Sequence, residues 1–174
     1  MRHGETTWNV AGRLQGVLDA PLTPRGRAQA RRLARLTAHL PGRRIASPQG
    51  RAQATAQAAF PDGFETDPRL AEIGVGDFTG RLLDDLRRDR PDLCFDGLDW
   101  YDRCPQGEGF DALEARCRAF LHDLGGPALV LTHGVTLRML RVLILGLPRA
   151  AIGRGEARQG AAHLLRAGRE TLLD

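Results

Sequence analysis

The chain has no lysine. All 25 residues of its Lys+Arg count are arginine, and against 21 acidic residues they leave a formal net charge of +4. A coding bias accounts for this more simply than nucleic-acid binding does. The densest basic cluster, Arg25, Arg27, Arg31, Arg32 and Arg35, wraps around a predicted helix instead of forming one stripe. No aromatic residue interleaves with it, as a nucleic-acid surface would require. It reads as a solvated helix face, and no nucleic-acid partner is expected. Cysteine is scarce: Cys94, Cys104 and Cys117 are odd in number and lack CxxC spacing, which argues against a disulfide framework and against a metal site. Cys117 falls in an apolar helical stripe and reads as a buried thiol. No apolar run approaches the length of a membrane span. No charged-then-apolar segment resembling a secretory signal is visible. A soluble cytoplasmic protein without a membrane partner is the default expectation, and 174 residues predict one domain, 1–174, with a substantial core.

What is present begins with the first nine residues, MRHGETTWN. Arg2 places a permanent cation beside His3, a side chain able to be a neutral nucleophile at neutral pH. Gly4, lacking Cβ, is expected to let the backbone turn sharply and an anion approach closely. Thr23 and Pro24 predict a helix start, and Leu33, Leu36 and Leu40 mark one apolar face before Pro41-Gly42 stops it. Residues 43–46 are a short strand candidate. A second helix from Gly50 through Ala56 puts Arg51 near a helix N-terminus, where orphan N–H groups favour an anion. Residues 64–66 read as a possible strand, and Glu72 leads into the glycine-rich 73–80. Residues 81–109, with a short helix ended by Arg90-Pro91 and a loop carrying Trp100 and Tyr101, read as an insertion over the site. Leu113, Cys117, Phe120 and Leu124 predict an amphipathic helix over 110–124. Residues 127–132 have the apolar character of a buried parallel strand. His133-Gly134 follows at its carboxyl end, where open α/β sheets bind ligands, and 135–145 returns as a helix. Residues 161–166 and 170–173 read as a terminal hairpin.

Arg2-His3-Gly4-Glu5-Thr6 with Asn9, then Arg51, Glu72 and His133-Gly134, together resemble the histidine phosphatase (phosphoglycerate mutase-like) superfamily, phosphatase branch. The resemblance runs in order over nearly the whole chain: RHGETTWN, GRLQG, LTPRGRAQA, SPQGRAQATA, LAEIGVGDFTG, PQGEGFDALEARCRAFL and LVLTHGVTLRML. It implies an α/β three-layer sandwich whose mostly parallel central sheet is flanked by helices. It further implies a phosphomonoester hydrolase without cofactor or metal, working through a phosphohistidine on His3 and acting on a small phosphorylated metabolite. Sugar phosphates, phosphoglycerate-like acids and alpha-ribazole phosphate stay open as substrates, and oligomeric state stays open between monomer and homodimer.

The chemistry fits those residue types. A phosphomonoester carries two negative charges that repel a nucleophile, so cations must surround its oxygens. Arg2 and Arg51 offer guanidinium forks. His3 must present one unprotonated nitrogen while the other donates a hydrogen bond. His133 would be the protonated partner of the phosphoryl group, and Glu72 would protonate the leaving oxygen and later take a proton from water. The resemblance implies secondary phosphate contacts for Asn9, Gln15, Gly16 and Gly134, and substrate selection by Trp100 and Tyr101. Gln15 departs from the hydroxyl residue of some branches, and Glu108-Gly109 from a frequent Glu-Ser. A phosphoglycerate mutase is the alternative, but 81–92 has neither the Arg-Arg-Ser-Tyr nor the Pro-Pro that mutases carry there. A non-catalytic phosphate-binding module would usually have lost the histidine or an arginine. In the family an apolar strand precedes Arg-His-Gly at the centre of the sheet. Met1 stands where it should end, so the expectation is that this strand is missing here and the natural protein is longer.

Overall fold

In the computed structural model, which describes residues 1–174, the elements in chain order are α1 (Thr7–Val10), α2 (Pro24–Thr37), β1 (Arg43–Ala46), α3 (Gly50–Ala59), β2 (Glu65–Thr66), α4 (Leu83–Asp89), α5 (Gly109–Asp123), β3 (Ala128–Leu131), α6 (Gly134–Ile144), β4 (Ala162–Arg166) and β5 (Arg169–Leu173), with four short 3-10 turns between them. The three central strands are parallel in the order β2-β1-β3, with Arg43 opposite Ala128 and Ala46 opposite Leu131. Successive strand side chains point to opposite faces, and the core divides accordingly. Ala46, Leu129 and Leu131 pack with Leu33 of α2 and with Ala52, Ala56 and Phe60 in and beside α3. Ile45 packs the other way, against Leu113, Cys117 and Phe120 of α5 and Met139 of α6. Helices therefore cover both faces of the sheet, and β4 and β5 form a separate antiparallel hairpin.

Helix α2 starts as its residues predict: the Thr23 side chain accepts from the Gly26 N–H, and Pro24 occupies the first turn. Its buried face differs from the leucine stripe, being Gly26, Ala30, Leu33 and Thr37. Small residues are needed because the opening loop presses on this helix. A Cβ on Gly26 would lie 2.0 Å from the Glu5 carbonyl oxygen, and one on Gly4 would lie 2.4 Å from that of Gly26. Gly4 thus serves a backbone-to-backbone approach between loop and helix, not the sharp turn its position suggests.

Residues 1–3 run beside β3. The Met1 amine donates to the Val130 carbonyl (2.8 Å), Thr132 N–H to Met1 (2.9 Å) and His3 N–H to Thr132 (2.9 Å). Arg2 bridges Thr132 on one side and Gln159 on the other, both in parallel sense. Behind Met1, between β3 and the hairpin, runs a largely apolar groove of about 330 Å³ whose walls include Leu40, Phe120, Leu124, Val130, Leu140 and Leu164. Met1 is one of the residues that line this groove. Residues 81–109 build a small core: Trp100, 5 % exposed, packs with Val75, Phe78, Leu86, Phe95 and Cys104. No helix is long and apolar enough to cross a membrane.

Candidate active site

A cavity of about 140 Å³ opens at the carboxyl ends of the strands, and its walls include Arg2, His3, Gln15, Arg51, Glu72 and Tyr101, with Asn9, Arg13 and Gly16 alongside. His3 is 2 % exposed, and its Nδ1 lies 2.7 Å from the Gly4 carbonyl oxygen. A carbonyl can only accept, so Nδ1 carries the proton and Nε2 keeps its lone pair. Burial first, then the positive charges of Arg2 and Arg51, hold the His3 pKa well below its ordinary value. The ring is therefore neutral at neutral pH, with its Nε2 lone pair free.

Arg51 enters at the start of α3 and is held from across the site. Its Nη1 donates to Leu18 O (2.7 Å) and Asp19 Oδ1 (2.9 Å), and its Nη2 to Gly16 O (3.0 Å) and Gln49 Oε1 (3.1 Å). All four terminal N–H groups are used, so the two-pronged fork expected on phosphate is engaged by protein. What remains is Nε–H, which is buried without a partner. Arg2 repeats the pattern: Nη1 donates to Ala157 O (3.1 Å), while its Nε–H is buried and unpartnered. Asp19 also accepts from the Gly50 and Arg51 N–H groups at 2.7 and 3.0 Å, capping α3 in place of Gln49.

Glu72 lies over the N-terminus of α6. Its Oε1 accepts from the N–H of Ile73 (3.2 Å), Val135 (3.2 Å) and Thr136 (3.0 Å) and from the Thr136 hydroxyl (3.1 Å), whereas Oε2 has the Val135 N–H alone, at 3.2 Å. Oε2 is the less occupied of the two oxygens. Gly134 keeps open the space between this oxygen and Arg2: a Cβ there would lie 3.5 Å from the Arg2 guanidinium and 3.6 Å from Oε2.

The remaining expected residues divide. The Asn9 Oδ1 accepts from Thr6 N–H (3.1 Å) in a capping box on α1 and from Gln159 Nε2 (3.0 Å), which leaves its NH₂ for the cavity. Gln15 and Gly16 line the wall, Gly16 using its carbonyl to hold Arg51. Of the aromatic pair only Tyr101 reaches the cavity. Trp100 is turned into the core of 81–109 and stacks on Tyr101 with ring centroids 3.9 Å apart. His133 is fully buried behind the wall, its ring centroid 5.2 Å from that of His3. Burial first, then the neighbouring His3 ring and the Arg51 guanidinium, hold its pKa well below the ordinary value.

Several supporting residues carried no readable signal. Ser47, Asp19 and Gln159 are among them. Thr136 had the one available clue, a hydroxyl in the first turn after His133-Gly134.

The family model of the histidine phosphatase superfamily (branch 1) matches residues 1–171. The chain belongs to this superfamily. Among relatives of the histidine phosphatases, a probable phosphoglycerate mutase GpmB of Serratia proteamaculans is 39% identical over 167 residues, covering 87% of this chain and 75% of that one. The solved alpha-ribazole phosphatase of Shigella flexneri superposes with a TM-score of 0.82 at 28% identity, covering 99% of this chain and 92% of that one. A mycobacterial glucosyl-3-phosphoglycerate phosphatase, solved with VO3, gives a TM-score of 0.83 at 28% identity, covering 98% and 94%. Like these neighbours, the histidine phosphatase described here is an α/β enzyme built on a parallel sheet flanked by helices.

Proposed function

We propose that the protein hydrolyses a small phosphomonoester through a phosphohistidine on His3. The observation that carries this reading is the set of unsatisfied groups around the cavity: Nε–H of Arg2 and of Arg51, both buried without partners, beside a neutral His3 whose Nε2 is unprotonated. Buried donors left unpaired cost about 1–3 kcal/mol each, and phosphoryl oxygens would satisfy them. In the first step His3 Nε2 bonds to phosphorus and the ester P–O bond breaks, Glu72 Oε2 giving its proton to the leaving oxygen. In the second, Glu72 takes a proton from water, the water oxygen bonds to phosphorus and the P–N bond breaks, returning His3 and releasing inorganic phosphate. Quenching a reaction during turnover should trap an acid-labile, alkali-stable phosphoryl label on the wild-type protein and none on His3→Ala. A His3→Ala protein that keeps most of its activity would sink the mechanism.

The curated relatives named as phosphoglycerate mutases favour one second reading, in which the same intermediate returns the group to its substrate. Supplied with 3-phosphoglycerate, the protein should release more inorganic phosphate than it forms 2-phosphoglycerate. The reverse ratio would establish the mutase reading.

A further inference from the structure

The residue at the end of β1, Ser47, belongs to no part of the site as read so far. Its N–H donates to the Leu131 carbonyl at 2.9 Å, continuing the ladder between β1 and β3. Two residues beyond Leu131 is His133, and its Nε2 lies 2.6 Å from the Ser47 Oγ. Both residues are 0 % exposed. The contact joins the carboxyl ends of two adjacent strands and has no water to compete with it.

The hydroxyl's second contact sets the direction of this bond. Gln49 N–H donates to Ser47 Oγ at 3.3 Å, and Gln49 is itself tied down, its Nε2 donating to Gly16 O and its Oε1 accepting from the Glu72 N–H, both at 3.0 Å. The Gln49 N–H can only donate, so the one acceptor in reach of the hydroxyl's own proton is His133 Nε2. A neutral imidazole has one donor and one acceptor nitrogen. If Nε2 accepts, the proton is on Nδ1. That nitrogen is buried with no protein partner, while the neighbouring ring is His3, with centroids 5.2 Å apart. The opposite tautomer would turn an unpaired lone pair toward incoming phosphoryl oxygens, which repel it.

We propose that Ser47 is a positioning residue: its hydroxyl locks His133 as the Nδ1–H tautomer, so that this N–H meets an oxygen of the phosphoryl group transferred to His3. The inference rests on the phosphohistidine reading above. It makes His133 a neutral hydrogen-bond donor to the transferring group, with Ser47 acting only through it.

Imidazole ¹⁵N spectra of the wild-type protein near pH 7.5 test the lock directly. The expected spectrum has the proton of His133 on Nδ1 and a free Nε2. Ser47→Ala should then show a mixture of tautomers, with kcat lowered about tenfold or more, the worth of one oriented hydrogen bond, and KM changed much less. A wild-type spectrum with the proton on Nε2 overturns the proposal, and so does a folded Ser47→Ala protein with wild-type kcat. If that variant does not fold, the wild-type spectrum still decides. His3→Ala separates the two ideas. An active His3→Ala enzyme removes the phosphohistidine itself, whereas an inactive one beside a fully active Ser47→Ala removes only the role of Ser47.

Discussion

The two arginines of the site show how little of a residue's chemistry follows from its type. Arg51 was read as a fork for phosphate, yet Asp19, Gln49 and two loop carbonyls hold both of its prongs. An immobilised guanidinium loses less freedom on binding and keeps its charge fixed beside the proposed nucleophile, a form of preorganisation that would stabilise a transferring phosphoryl group. Gly134 offers a test at this scale. Its backbone is helical, so alanine fits without strain, and the nearest atoms to a new methyl group would be at contact distance, 3.5 Å. Gly134→Ala should leave the melting temperature unchanged or slightly raised, because alanine is the better helix former by up to about 1 kcal/mol. The methyl would occupy the space between Arg2 and Glu72, so kcat/KM should fall by roughly tenfold or more. A variant equal to wild type in kcat/KM would show that the transferring group does not use this space.

Elements are joined here by side chains that cap one another's ends. Asp19, from the loop before α2, closes the N-terminus of α3, and Glu72, from the loop after a 3-10 turn, closes that of α6. A carboxylate is favoured at a helix N-terminus by the orphan N–H groups and the dipole. The carboxylate proposed as proton donor is thus also structural, and a substitution separates the two roles. Glu72→Gln keeps a carbonyl oxygen for the N–H groups of α6 but has no proton to give. It should cost about 1 kcal/mol of stability while slowing alkyl phosphates, whose leaving groups need protonation, far more than aryl phosphates, whose leaving groups do not. Equal losses on both substrate types would reduce Glu72 to its capping role.

Across the whole molecule the buried bases set the pH response. Burial lowers the pKa of His3 and His133 well below the ordinary histidine value and that of the Met1 amine to about 5. Each folded-state pKa is depressed, so the unfolded chain binds more protons as pH falls. The stability tied to the amine is present above pH 8 and is lost as pH falls toward 5, and that tied to the histidines is lost as pH falls below 6.5. For the amine the drop is worth roughly 4 kcal/mol. Urea melts at pH 8.0, 7.0 and 5.5 should give steadily decreasing stability. An apolar, β-branched segment of four or so residues fused ahead of Met1 would turn the amine into an amide and enter the groove between β3 and the hairpin. The fused protein should melt several degrees higher, since buried Val and Ile side chains contribute about 1.5–3 kcal/mol each. It should also lose less stability between pH 8 and pH 5.5. An unchanged melting point and pH profile would show that the groove does not accept a strand.

The sequence determined by itself whatever depends on neighbours along the chain. Residues 43–46, 83–89 and 128–131 and the hairpin around Ala167-Gly168 fall at or within a residue or two of their expected places, because strand alternation, helix periodicity and turn residues are local. The order of Arg2, His3, Arg51, Glu72 and His133 along the chain likewise carried the family. Only the tertiary structure decided how those residues are presented. It turned Trp100 into a core, spent the fork of Arg51 on a loop and matched Gly4 to Gly26 across 22 residues of chain. It also brought Ser47 against His133, 86 residues away. Such contacts depend on which surfaces the packed sheet and helices bring together, and no local pattern of residues encodes that distance.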